Sequence, residues 1–422
     1  MNPKILMNHI LIFGLLVLPM DVATCQGDEF LQFRGADGRN VISTGQAPTE
    51  WSADKNLAWK VKLPGRAVNG VIVVGGQVIA TSSSGHLNDR LHICSLDEQS
   101  GEVKWMRTVY STGRAFCHPL SSMAAPTPAS DGEAIFALFS TNDLVCLDLH
   151  GNLKWIRSLG MDFPGAFDDR GLASSPMVID GTVVIQVACQ GDSFVLGVDA
   201  ATGQDKWKQE LSRTTAWSSP TPFRVDGRSF VLVHSASDFQ AIDAVTGEAK
   251  WMVEARGALI PSPAVQDKSV FLASAGLTRI DLDADASTPA KVWTKQKLST
   301  GSASPIVSGS HLYVIHSNNI LTCGDTDEGE VLWQARLKGT KIWATPLMIG
   351  KYVYVVNDAG LTQVVDVSRP EGVVVSENDL AEEMLGSPAY ANGALYLRGV
   401  THVFKVAEAG RTDGPSVEPI KE

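Results

Sequence analysis

Apolar runs of four to six residues, separated by Gly, Asp and Asn turns, recur from Val68 to Val406 and predict strands, not helices. The clearest unit runs Ser219-Pro220-Thr221-Pro222-Phe223-Arg224-Val225, a turn at Asp226-Gly227, Phe230-Val231-Leu232-Val233, a polar turn, Gln240-Ala241-Ile242-Asp243, and Trp251. Its ending repeats almost unchanged: Val198-Asp199-Ala200-Ala201-Thr202-Gly203 leads to Trp207, and Ile242-Asp243-Ala244-Val245-Thr246-Gly247 leads to Trp251. The Asp carboxylate can bond to turn amides ahead of it, and Gly accepts the left-handed backbone that the tight turn needs. Weaker copies end at Trp105, Trp155, Trp293 and Trp333.

Trp59, Trp105, Trp155, Trp207, Trp251, Trp293 and Trp333 are spaced 40–52 residues apart, and an eighth slot falls on Ser376. After it come three strand-like runs, 387–390, 394–397 and 402–406, with no fourth. The strand around Trp59 lacks preceding partners and supplies the missing one. The pattern therefore predicts an all-β, eight-bladed β-propeller of four-stranded antiparallel blades, its ring closed by an N-terminal strand completing the C-terminal blade. Each Trp is assigned to docking on the neighbouring blade, and Ser376 predicts a looser seventh blade. Most blades open on a small residue before Pro: Ala125-Pro126, Ser175-Pro176, Ser219-Pro220, Ser262-Pro263, Ser304-Pro305, Thr345-Pro346 and Ser387-Pro388. Pro fits at a strand start, where no ladder donor is needed.

The expected divisions are a signal peptide at 1–25, an extended arm at 26–55, the propeller at 56–406 and a flexible tail at 407–422. Lys4 followed by an apolar run over 10–18 is too short to span a bilayer and suits an export signal. Thr24 before Cys25 argues against a lipid anchor there. The protein is expected to be exported, periplasmic or secreted, and monomeric. A net charge of −11 without a basic stripe excludes a nucleic-acid partner. Cys94, Cys146, Cys189 and Cys323 lie in apolar runs and read as buried thiols, whereas Cys117 lies in a polar loop. Paired zinc-type cysteines are absent, so no metal is assigned.

The D-x-x-T-G-x-x-x-W repeat and the eightfold count resemble the pyrroloquinoline-quinone-like (quinoprotein-type) propeller repeat family over 56–406. Phe33-Arg34-Gly35 with Asp37-Gly38, Pro48-Thr49-Glu50-Trp51, and His118-Pro119 with Ser121-Ser122 look like exported members from planctomycete-type bacteria. The resemblance is specific for fold and not for activity. In that family the dehydrogenases hold quinone and calcium in the funnel and typically carry an adjacent Cys pair. No adjacent cysteines occur here, so no cofactor and no catalytic residue is transferred.

Two inter-blade connections, after Trp105 and after Trp155, are longer than the rest and place extra chain on one rim sector over blades one to three. Candidate rim residues are Arg107, Arg114 and His118 on the first and Asp168, Asp169 and Arg170 on the second. Trp217 and Trp343 stand just before first strands, where they could border the channel. The loops could simply pair with one another and plug the funnel, or frame a pocket for a polar ligand. His118 is a candidate acid or base because an unperturbed imidazole titrates near neutrality. Asp143, Asp192, Asp238 and Asp358 sit in turns on the same side and could face the funnel, although Asp is more often a turn former. Three functions follow: an exported non-catalytic propeller binding an envelope protein or polymer partner through its rim, a quinone- and calcium-dependent alcohol or sugar dehydrogenase, or a carbohydrate-binding propeller.

Overall fold

The computed structural model describes residues 29–283 and 288–408; the expected signal segment and most of the expected tail lie outside these. Eight sheets surround one axis. The first blade is Ile72–Val74, Gln77–Ser84, Arg90–Asp97 and Val103–Tyr110, with Ile72–Val74 innermost. The next six begin at residues 129, 177, 221, 264, 306 and 347. The eighth consists of Ala389–Ala391, Ala394–Arg398 and His402–Val406, with Leu57–Lys62 as its outer strand, antiparallel to His402–Val406. The circle closes as the repeat count predicts. Among the described residues no helix is long and apolar enough to cross a membrane.

The Trp repeat works by stacking indole on glycine. The Trp59 ring lies on Gly101 of the first blade, Trp105 on Gly151, Trp155 on Gly203 and Trp207 on Gly247, and a Cβ on any of these glycines would come within 2.4–2.9 Å of the ring. The Thr-Gly glycine is thus required twice, for its positive φ and for the close approach of the indole. Indole N–H groups anchor the same contacts: Trp59 Nε1 donates to Glu98 O (3.1 Å), Trp105 to Leu149 O (3.0 Å) and Trp155 to Ala200 O (3.0 Å).

Ser376 does not loosen the seventh blade as expected. Trp51, from the N-terminal arm, is 4% exposed among Tyr354, Leu395, Leu397 and Phe404 between blades seven and eight. Its backbone N–H donates to Asn378 Oδ1 (2.8 Å), and Ser376 Oγ donates to Thr49 O. A small side chain at 376 admits the arm, and the arm returns a tryptophan.

The arm does more than extend. It crosses the axis and touches every blade. Phe30 exchanges two 2.9 Å backbone bonds with Val73, Leu31 O accepts from Ser130 N–H (2.7 Å), and Gln32 Oε1 accepts from Val178 N–H (2.8 Å). Arg34, with φ 68, sends Nη1 to Pro263 O (2.5 Å) and Nη2 to Pro305 O (3.0 Å). Gly38 abuts Pro222 of the fourth blade, Asn40 Nδ2 donates to Pro346 O (2.7 Å), and Gln46 O accepts from the Tyr390 hydroxyl (3.2 Å). Val41–Ile42 even adds a fifth, parallel strand inside Leu347–Ile349. The channel is therefore sealed at one end by its own chain.

Candidate functional site

Seven residues that open blades, each directly before Pro, build a ring around the axis. The amide of each of the first six donates to the hydroxyl of the next: Thr127 to Ser175 (3.0 Å), Ser175 to Ser219 (2.9 Å), Ser219 to Ser262 (2.8 Å), Ser262 to Ser304 (3.0 Å), Ser304 to Thr345 (3.3 Å) and Thr345 to Ser387 (2.9 Å). Gly70 N–H joins from the first blade, donating to Thr127 Oγ1 (3.0 Å). In the second blade the ring position is Thr127-Pro128, two residues beyond the Ala125-Pro126 pair expected from spacing. The Pro carbonyls of this ring point to the arm, at Pro263, Pro305 and Pro346.

The hydroxyls line the base of a funnel of about 390 Å³, with Phe33 from the arm contributing from beneath. Trp217, Trp343, Ile260, Leu385 and Leu120 form apolar wall, and His118 and Arg170 stand among them. Trp217 and Trp343 precede the first strands of blades four and seven, so they approach the axis from well-separated directions. Sequence reasoning placed both at the channel. It missed the hydroxyl ring, Phe33, Ile260 and Leu385, although the recurrence of Ser or Thr, and not merely a small residue, before Pro was visible.

The two long connections do pair. His118 N–H donates to Arg170 O (3.0 Å), Trp217 Nε1 donates to Gly171 O (3.1 Å), and Thr215 Oγ1 donates to Asp168 Oδ2 (2.8 Å). The Arg114 guanidinium lies over the Phe167 ring at 4.3 Å and the Phe116 ring at 5.4 Å, and Arg170 over Trp217 at 5.8 Å. Asp169 is exposed beside them. Arg107 is not part of this assembly. Its Nε donates to Gly151 O (2.6 Å), and it lines a separate hollow with Trp105 and Leu149 at the join of blades one and two. Pairing leaves the funnel open: the loops frame its mouth and do not fill it.

The four turn aspartates do not line the funnel, and each is held by polar groups of its own turn or of a neighbouring connection. Asp143 accepts from Thr141 Oγ1 (2.7 Å) and Thr112 N–H (3.1 Å), and Asp238 from Ser212 Oγ (2.7 Å) and Ser235 Oγ (2.8 Å). Asp358 accepts from Thr340, and Asp192 pairs with Arg213 at 3.4 Å. Among the described residues no Asp or Glu lines the funnel. Calcium takes six to eight oxygens, usually with carboxylates among them, so these walls do not suit a quinone–calcium pair. The five cysteines among the described residues are free; burial raises the Cys117 thiol pKa and lifts that of Cys94 to about 12.

His234 supports the funnel wall from behind. Its Nδ1 meets Ser218 Oγ at 2.6 Å, next to Trp217, and Nε2 meets Ala258 O at 2.7 Å. The carbonyl fixes the proton on Nε2, so Nδ1 accepts. Burial drives its pKa down to about 4 from an ordinary 6.5. The folded chain then binds fewer protons than the unfolded one between these values, so stability is full above about pH 6.5 and lost as pH falls towards 4. The loss from this one group should total about 3 kcal/mol. Urea unfolding at pH 7.5 and 4.5 should show a steeper drop for the wild type than for His234→Gln; equal drops would refute this.

A family model described as outer membrane protein assembly factor BamB matches residues 29–196 and again 191–409. The chain belongs to this family. Among solved structures, BamB from Moraxella catarrhalis is 18% identical with TM-score 0.62, covering 84% of this chain and 98% of that one. A europium-containing methanol dehydrogenase is 12% identical with TM-score 0.69, covering 89% and 90%. A quinohemoprotein alcohol dehydrogenase from Comamonas testosteroni is 12% identical with TM-score 0.64, covering 93% and 82%. At these identities the likeness is one of fold. No curated protein sequence matches the chain.

Proposed function

We propose that this BamB-family chain is an exported, non-catalytic propeller that holds a protein partner on its loop-rich rim. One observation carries the reading: the long connections brace each other and leave large apolar groups outward. Tyr110 is 66% exposed, Phe116 49% and Leu120 47%, alongside Arg114, Asp169 and Arg170. Apolar groups concentrated on one sector, rimmed by charge, are what interaction surfaces present. Membership of a family described as an assembly factor supports the same reading, and a funnel without carboxylates weighs against calcium-dependent chemistry.

A photoreactive residue placed at Phe116 or Leu120 in the exported protein should yield a discrete protein adduct, whereas one at exposed Val245 in a blade turn should not. The double change Phe116→Asp and Leu120→Asp should cut partner recovery about tenfold or more, as loss of two apolar anchors implies. Adducts at both places alike, adducts to glycan only, or dye reduction that depends on added quinone and calcium would overturn the reading.

A further inference from the structure

The hydroxyl ring has an unused half. Each of its seven oxygens accepts an amide proton, yet among the described residues none of the seven hydroxyls donates to another group. Thr127, Ser175, Ser219, Ser262, Ser304 and Thr345 are all at most 6% exposed, and all line the funnel. A hydroxyl proton rotates to suit its acceptor, so this base offers a circle of donors converging on the axis. Arg170 adds charge at the mouth, where Asp168 and Asp169 stand on the same connection, and among the described residues no carboxylate lines the funnel itself. Above the ring the wall is chiefly apolar: Trp217, Ile260, Trp343 and Leu385.

From this arrangement we infer that the funnel captures the C-terminal end of a polypeptide, its carboxylate on the hydroxyl ring and its last, apolar side chain against the tryptophans. The assignment deepens the rim reading and rests on it. A terminal carboxylate can accept several hydrogen bonds at once, and charge-assisted bonds are about twice as strong as neutral ones. Because the arm closes the far end, chain cannot run through; only an end fits. A cavity of about 390 Å³ suits one or two residues. The mouth then passes the preceding residues to exposed Leu120 and its neighbours on the rim. A saccharide is a poorer match, since it needs polar partners all round, the upper wall is chiefly apolar, and Asn69 Nδ2, of the one side-chain amide on the wall among the described residues, already donates to Thr81 and Pro126. A free organic acid on an apolar body shares the chemistry but would make no use of the rim.

The test titrates the full chain with a hexapeptide ending in leucine, as the free acid and as the C-terminal amide, following heat and tryptophan fluorescence. The acid should bind saturably and at least tenfold more tightly than the amide. Arg170→Gln should weaken the acid severalfold and leave the amide unchanged. Ile260→Glu should abolish acid binding while keeping the wild-type urea midpoint. Absence of saturable binding, or equal binding of acid and amide, overturns the assignment. So does 4-methylpentanoate binding as tightly as the peptide, which would mark a small-acid site. Rim cross-links that persist without peptide binding sink this assignment alone, whereas their absence sinks the partner reading itself.

Discussion

Glu98→Ala should lower unfolding stability by about 3–5 kcal/mol, the cost of leaving the partners of a buried charge uncompensated. Glu98 sits where the last blade meets the first. Its carboxylate accepts from the Tyr396 hydroxyl (2.8 Å) and from Asn392 Nδ2 (2.9 and 3.0 Å), with Lys405 Nζ 3.7 Å away. Its carbonyl accepts from Trp59 Nε1 (3.1 Å) and Lys405 Nζ (2.8 Å). The carboxylate and the Lys405 ammonium are both nearly buried, at 9% and 8% side-chain exposure. Removing the acid takes a counter-charge from Lys405 and an acceptor from the Tyr396 phenol and the Asn392 amide, in the seam that completes the circle. Glu98→Gln, which keeps an acceptor, should lose less than Glu98→Ala. Urea denaturation followed by tryptophan emission measures both, and equal midpoints for wild type and Glu98→Ala would refute the latch.

Arg34→Ala is the second large effect, expected at about 3–6 kcal/mol from two hydrogen bonds made by a charged group at about 1.5–3 kcal/mol each. The guanidinium is 2% exposed, and burial pulls its pKa down to about 10, so it remains charged at neutral pH. Without it, the Pro305 carbonyl loses this donor and the Pro263 carbonyl falls back on Thr221 Oγ1 (3.2 Å). Arg34→Lys restores charge but cannot span two carbonyls from one planar fork, so it should recover only part of the loss. Amide exchange should report the change locally as faster exchange at Ser130, Val178 and Met348, whose N–H groups the arm holds. Unaltered exchange at those amides would show that the arm does not depend on Arg34.

The blades were legible because their signal is local and repeated. A Trp, an Asp and a Gly recur at nearly fixed offsets, and one missing strand at each end is a counting argument. The arm was not, because its partners lie far along the chain: Arg34 bonds residues 229 and 271 positions away, and no spacing rule connects them. The same reason explains Trp51, which fills the place that Ser376 vacates without sharing its register. Trp217 and Trp343 were locatable because residues just before a first strand must approach the axis. The ring hydroxyls were hidden behind the more conspicuous Pro, and Pro126 drew the register of the second blade two residues early. Arg107 was grouped with Arg114 by nearness in sequence, but it lies on the strand Val103–Tyr110, whose side chains reach the adjoining blade and not the mouth.

Synthesis proceeds from the N-terminus, so Phe30 to Trp51 is made before any surface it will rest on. Its resting places at Val73, Ser130, Val178, Pro263, Pro305, Pro346 and Tyr390 accumulate as translation advances, and the last of them lies close to the chain's end. This early segment is consequently the final one to settle, and a truncated product would leave it dangling. Maturation of this molecule should end with its own beginning being drawn in as the keystone.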